Sequence, residues 1–294
     1  MARRSAWRNL LPRKGILPEG AAALLAAAVL SASQPVHAAD GAAIPDFSQA
    51  NTAGWVSGGA DLMPPPSGPG PVGFDPAHPH VGNNDRQGRQ PTPRIGDANA
   101  PILQPWAAAM VKKANDEVLG GKVGFEAMST CWPAGVPGIM VFTAEPVYFV
   151  QTPKEVTILY QRGPNQRHIY MNAAHSKNPK PSWYGESVGH YEGKTLVIDT
   201  IGMNYKTFVD NVRTPHTTQL HVVERYTVSD DGRSMDAIAT VDDPGAYTMQ
   251  WSAMQRYRRV TQPYSESVCA ENNNNYNYFN LRVDPIPEAA KADF

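Results

Sequence analysis

The stretch SWYGESVGHYEGKTLVIDTI (182–201) decides the fold. Two runs that alternate apolar and polar residues flank Glu192-Gly193, a turn-forming pair, and this is the pattern of a β-hairpin. Working outward from it, the same punctuation recurs. Upstream, an extended run at 141–150 turns through Gln151-Thr152-Pro153-Lys154 into 156–161, and Gly163-Pro164-Asn165 leads into 167–173. Downstream, 220–228 turns at Asp230-Asp231-Gly232 into 234–241, and Asp242-Asp243-Pro244-Gly245 leads into 247–260. With 183–191 and 195–201 this makes about eight strands with no helical crossover between them. Such a series closes most economically as an antiparallel, up-and-down, lipocalin-like β-barrel, because closure removes exposed edges and leaves room for one small ligand.

The barrel domain is expected over 131–270, with an irregular tail at 271–294. Ahead of it, 101–130 is expected to be a helical segment packed on the barrel. Pro101 suits a first-turn position, Trp106, Met110 and Ala114 recur at helical spacing with Ala107, Val111 and Val118, and Gly120-Gly121 stops the helix. Residues 39–100 are rich in Pro, Gly, Asn and Asp and keep no period, so they read as a linker or an arm wrapped on the domain, with Trp55 and Phe74 as possible anchors.

Residues 1–38 read as a cleavable secretory signal peptide. Arg3, Arg4, Arg8, Arg13 and Lys14 precede an apolar run over 20–32, and Val36-His37-Ala38 supplies a small-residue cleavage site. The run is shorter than the roughly 20 residues a membrane-spanning helix needs. No integral membrane span is expected elsewhere, and the function is placed in the periplasm or outside the cell. Cleavage takes five of the 26 basic residues and one of the 27 acidic residues, leaving 21 against 26. That acidic balance argues against a nucleic-acid partner, which calls for a basic patch. The chain has two cysteines, Cys131 and Cys269. In an oxidising compartment they are expected to form a disulfide bond, with two buried thiols or one reactive cysteine as the alternatives.

No nucleophile elbow, P-loop, H-E-x-x-H or C-x-x-C motif occurs. The histidines show no metal-ligand spacing, so neither a metal nor a cofactor is expected. Chemistry must therefore come from a constellation. With Glu192-Gly193 at the turn, Tyr191 pairs with Lys194 and Glu186 falls opposite Asp199. Tyr184, Glu186 and His190 then share one face with Asp199. Inside a barrel, two facing carboxylates beside a histidine would share a proton and supply an acid and a base, with Tyr184 as a phenolic donor. The competing reading makes this face solvated and gives the core to Trp183, Tyr191, Leu196 and Ile198. His168 and Tyr170 on one strand and Glu224 on another are candidate ligand-binding positions, and His216 in the long loop after 201 is a candidate gate.

The segments CWPAGVP (131–137), QTPKEVT (151–157), SWYGESVGHYEGKTLV (182–197) and VDDPGAY (241–247) resemble a large group of exported, functionally uncharacterised bacterial proteins. The resemblance implies export and a shared fold and carries over no catalytic residue. The leading expectation is a cofactor-independent periplasmic enzyme doing lyase, isomerase or hydratase chemistry on a small apolar or aromatic molecule held in the lumen. The alternative is a carrier of the same fold without turnover.

Overall fold

The computed structural model describes residues 44–48, 54–83, 85–122, 124, 131–141, 145–161 and 165–266, all of them within one compact unit, Ala38–Phe294. The expected signal peptide, the tail at 271–294 and Cys269 lie outside the described residues. The described strands are β1 (Gly54–Ser57), β2 (Val147–Gln151), β3 (Glu155–Tyr160), β4 (Asn165–Met171), β5 (Glu186–Glu192), β6 (Thr195–Ile201), β7 (His221–Val228), β8 (Ser234–Asp242) and β9 (Trp251–Val260). They close in chain order into a mainly β barrel, and β2 to β9 are the eight strands the turn pattern marks out.

Two features depart from the expected eight-stranded, all-antiparallel closure. The first is β1, which comes from the Pro/Gly-rich arm and seals the barrel by pairing antiparallel to β9 and, through Trp55 and Val147, to β2. The arm lacks any periodicity that would announce a strand, so side-chain anchors hold it. Trp55 is completely buried, and its indole N–H donates to the carbonyl of Phe47 at 2.8 Å. Further along, Met63 bridges to Met254 and Phe74 to Gly96. The arm is thus part of the barrel wall and its cover rather than a linker.

The second departure is that β4 and β5 run parallel, joined by three residue pairs, Ile169 to Ser187, Tyr170 to Val188 and Met171 to Gly189. A parallel pair cannot be closed by a tight turn. The long segment between the two strands therefore carries the chain back along the wall, held by the Ser182 N–H on the Gly202 carbonyl at 3.0 Å. Gly189 lets the strands approach: a Cβ there would lie 2.7 Å from Ile169 Cγ2 and 3.0 Å from the Val197 carbonyl. Before Ile169 the strands diverge and leave a seam in the wall.

The hairpin of 182–201 forms, with a corrected register. Glu192 pairs with Thr195, so the turn residues are Gly193 and Lys194, and Glu186 lies opposite Ile201 while Val188 lies opposite Asp199. The reason is backbone sterics. A two-residue turn that needs a left-handed first position takes glycine there, and Gly193 has φ 56°; the expected register would have put Glu192 in that position. Moving the turn by one residue slides the pairing by two, so each residue keeps its face.

Inward-pointing residues pack into one core that includes Trp55, Phe149, Ile169, Leu196, Ile198 and Trp251. Ala237, Ala239 and Ala253 on β8 and β9 are fully buried and make room for these large side chains, as small barrels require. The helix α1 (Pro105–Leu119) begins at Pro105 rather than Pro101. Its buried stripe is Ala107, Val111 and Asn115, whereas Trp106 and Met110 are 40% and 46% exposed. Asn115 holds the arm to the helix, accepting from the Gly96 N–H at 3.1 Å and donating to its carbonyl at 2.7 Å.

Candidate functional site

A charged residue on a strand face otherwise made of Ile and Met is costly to bury unless it finds a counter-charge. Arg167 is such a residue: it shares the inward face of β4 with Ile169 and Met171, and it is 1% exposed. Its Nη2 donates to Glu224 Oε2 on β7 at 2.5 Å and to Thr200 Oγ1 on β6 at 2.6 Å. Its Nε donates to Ser187 Oγ on β5 at 3.1 Å. Tyr226 Oη completes the Glu224 carboxylate, donating to Oε1 at 2.8 Å. Four successive strands thus contribute to one buried ion pair. Burial opposes the charge on Arg167, but the attraction of Glu224 outweighs it and holds the guanidinium above its ordinary pKa.

This cluster sits at the seam. Where β4 and β5 diverge, a cleft of about 690 Å³ opens, lined among others by Arg167, His168, Trp183, Tyr184, Glu186 and Ser187. That volume is within the range of small-molecule sites. Its aromatic side is ordered by ring contacts: Tyr184 stacks on Tyr160 at 6.1 Å between centroids, and Trp183 meets Trp132 at 5.4 Å. Gly185, between Trp183-Tyr184 and β5, has φ 65°, and a Cβ there would strike the Ile201 carbonyl at 2.3 Å. Only glycine lets the chain turn here and aim both aromatics at the cleft.

Three polar atoms at this place are buried without a hydrogen-bond partner among the described residues: Arg167 Nη1, Tyr160 Oη and Tyr184 Oη. Arg167 lies beside Tyr160, and the backbone of Ala134 beside Tyr184, but neither completes a bond of hydrogen-bonding geometry. Burial pushes the Tyr160 phenol up to about 12 and the Tyr184 phenol up as well. Both therefore keep their protons at neutral pH and remain donors.

Of the expected acid–base constellation, Tyr184 and Glu186 line the cleft, whereas His190 and Asp199 do not. Glu186, His190 and Asp199 are on the outer face of β5 and β6, the solvated alternative of the sequence reading. Leu196 and Ile198 are the residues that turn inward, fully buried. Glu186 and Asp199 are joined by His175, from the long β4–β5 connection, whose Nδ1 lies 3.1 Å from Glu186 Oε1 and Nε2 3.0 Å from Asp199 Oδ1. His221 Nε2 adds a contact of 2.9 Å to the same Asp199 oxygen. The Glu186 carboxyl is held below its usual range, first by the Ser176 backbone N–H and side chain. A shared proton between facing carboxylates is thus replaced by two carboxylates bridged through an imidazole. His190 pairs instead with Glu192 at 3.0 Å, which Arg225 and His190 together hold down to about 2.

The other singled-out residues divide. Glu224 is inward and lies in the buried cluster, whereas His168 and Tyr170 are outward, 44% and 49% exposed, on the cleft side of β4. His168 Nδ1 contacts Glu155 Oε1 closely. His216 is no exposed gate: it is 4% exposed, with Nε2 2.9 Å from Thr207 Oγ1 and Nδ1 2.9 Å from the Thr217 carbonyl. Burial lowers its pKa. Arg167, Tyr160, Trp183 and His175 were missed as site residues. For Arg167 the signal was available, because the alternation that puts His168 and Tyr170 on one face puts the arginine with Ile169 and Met171 on the other.

Comparison with known proteins gives no group to inherit from. No family model, no curated protein and no solved structure matches the chain. Among the described residues no group of three or more His, Cys, Asp or Glu side chains is placed to hold a metal ion, and no helix is long and apolar enough to cross a membrane.

Proposed function

We propose that this protein binds a small, aromatic-bearing molecule in the cleft at the β4–β5 seam and acts outside the cytoplasm as a binding or carrier protein. The observation that carries this reading is a pair of buried, unpartnered donors, Arg167 Nη1 and Tyr184 Oη, on two residues that line an aromatic-walled cleft. Natural proteins rarely leave buried polar groups unmatched unless a ligand or ordered water meets them. The aromatic walls supply apolar contact area, and the polar foot supplies orientation. Thermal-shift screening of aromatic compounds tests it. A compound that binds is expected to lose at least tenfold in affinity in Trp183→Ala and in Ser187→Phe, a change that fills the foot. Undiminished binding in both variants would place the site elsewhere.

One observation favours a second reading, acid–base catalysis in the same cleft. With His168 Nδ1 committed to Glu155, Nε2 is the nitrogen left to exchange a proton with a bound molecule, and Tyr184 is a donor within the same lining. On this reading His168→Gln lowers turnover by about 10²–10⁴-fold while ligand affinity holds. Equal turnover in the variant removes it.

Export belongs to the same proposal. Residues 1–38 carry the pattern of a signal peptide, and the segments that resemble exported bacterial proteins point the same way. The described residues include no free cysteine, which supports a bridge between Cys131 and Cys269. N-terminal sequencing and non-reducing mass spectrometry of periplasmic protein test both; an intact Met1 or two alkylated thiols would contradict them.

A further inference from the structure

We infer that the ligand of this cleft presents a neutral hydrogen-bond acceptor, a carbonyl of the ketone, ester or amide type, to Arg167 Nη1 and the hydroxyl of Tyr184. The inference rests on the binding reading above and adds the chemistry of the bound group.

The first step is an inventory of what the cluster has left to offer. Both Glu224 oxygens are taken, by Arg167 and Tyr226. Ser187 and Thr200 face each other at 3.0 Å while accepting from Arg167. The atoms without partners are a guanidinium N–H group, which can only donate, and two phenols that burial keeps protonated. A phenol oxygen can also accept, so the partner common to the guanidinium N–H and the phenol O–H is a bound acceptor.

The second step is charge. An arginine at the foot of a pocket ordinarily suggests a carboxylate or phosphate. Here the positive charge is already compensated, because Arg167 and Glu224 are 1% and 0% exposed and in direct contact. An anionic ligand would leave one uncompensated negative charge in a low-dielectric place, beside the Glu224 carboxylate that the same arginine neutralises. Desolvating such a charge beside Glu224 costs more than desolvating a neutral carbonyl that accepts the same hydrogen bonds. A neutral carbonyl has two lone pairs for these donors and adds no charge. Its apolar remainder fits against Trp183 and Tyr184.

Three isosteric probes separate the possibilities: 2-acetonaphthone, with a neutral carbonyl; 2-naphthoate, with a carboxylate; and 2-ethylnaphthalene, with neither. Isothermal titration of the mature protein at pH 7 is expected to rank the ketone at least tenfold above both others. Tyr184→Phe keeps ring and shape and should weaken the ketone by about 2–10-fold while leaving 2-ethylnaphthalene unchanged. The infrared carbonyl stretch of ¹³C-labelled ketone should move to lower frequency on binding and move back in Tyr184→Phe. Tighter binding of the naphthoate, or equal binding of ketone and hydrocarbon, overturns the carbonyl inference and leaves the binding reading standing. If none of the three binds, both the inference and the binding reading fall.

Discussion

The two polar groups on β5, β6 and β7 are one pleat apart and physically opposite. Ser187, Thr200 and Glu224 point inward and bury Arg167 beneath the cleft. Their sequence neighbours Glu186 and Asp199 point outward and meet His175, and His221 from the same β7 strand meets Asp199, at positions 21–40% exposed. Outside, the chain of histidines and carboxylates ties the β4–β5 connection to the barrel in a medium that screens it. Inside, a single ion pair carries the whole cost of desolvation and must be complete to be tolerable. The residue types that advertise chemistry thus lie in the weaker group, and the group with unmet hydrogen-bonding capacity is built around one arginine in an apolar strand.

The largest expected effect breaks the inner group. Glu224→Gln leaves Arg167 as a buried charge without its partner, and urea denaturation should show a loss of about 3–5 kcal/mol. The double variant Arg167→Met with Glu224→Leu should recover most of that stability, because apolar replacement of a buried pair is often neutral. A Glu224→Gln loss no greater than that of an outer-face change would end the contrast drawn here.

A buried carboxyl without a direct counter-charge sharpens it. The carboxyl of Asp210, in the β6–β7 connection, has Oδ1 accepting from the Val212 and Thr214 N–H groups at 3.0 and 2.9 Å, while Oδ2 is enclosed and unpartnered. The residue as a whole is half-exposed, but its carboxyl is sheltered, and desolvation raises its pKa to about 6 from an ordinary 3.8. The folded state holds this proton more tightly than the unfolded one. The stabilisation is complete below about 3.8 and is lost as pH rises through about 6. The linkage is on the order of 3 kcal/mol. Chemical denaturation between pH 4 and 7 should show that decline, and Asp210→Asn should flatten it; an unchanged slope in the variant would assign the decline to other groups.

The smallest effect is expected outside. His175→Ala breaks both contacts of the connection, yet exposed pairs of this kind contribute about 0–1 kcal/mol. Its cost should shrink further in 0.5 M salt, and urea midpoints at two ionic strengths check it. A salt-independent loss above about 2 kcal/mol would show that the outer chain behaves as a buried network.

How much of this was legible follows element by element. Strands β2 to β9 announce themselves by two-residue alternation between turns, since a half-buried strand needs nothing else. The β5–β6 hairpin was legible to within one residue of its turn, and the miss has a local cause: φ at Gly193. β1 was not legible, because a four-residue strand in a Pro/Gly-rich arm has no period of its own and exists only where β9 and Trp55's pocket receive it. The helix start was off by one turn, since Pro101 and Pro105 are equally good first-turn residues and only the packing of Ala107, Val111 and Asn115 chooses between them.

The sequence by itself determined the strands, the turns between them and which residues share a face, because those follow from backbone sterics and from the pleat. Tertiary structure alone decided which of the two faces is the inner one and that β4 and β5 meet in parallel and then part. It also decided that Arg167 completes itself on Glu224, 57 residues away, while Glu186 and Asp199 share an imidazole in water. The reason is that alternation carries no sign: it separates the faces of a strand and leaves it to barrel closure, and to the pairing of charges far apart in the chain, to choose which face goes inside.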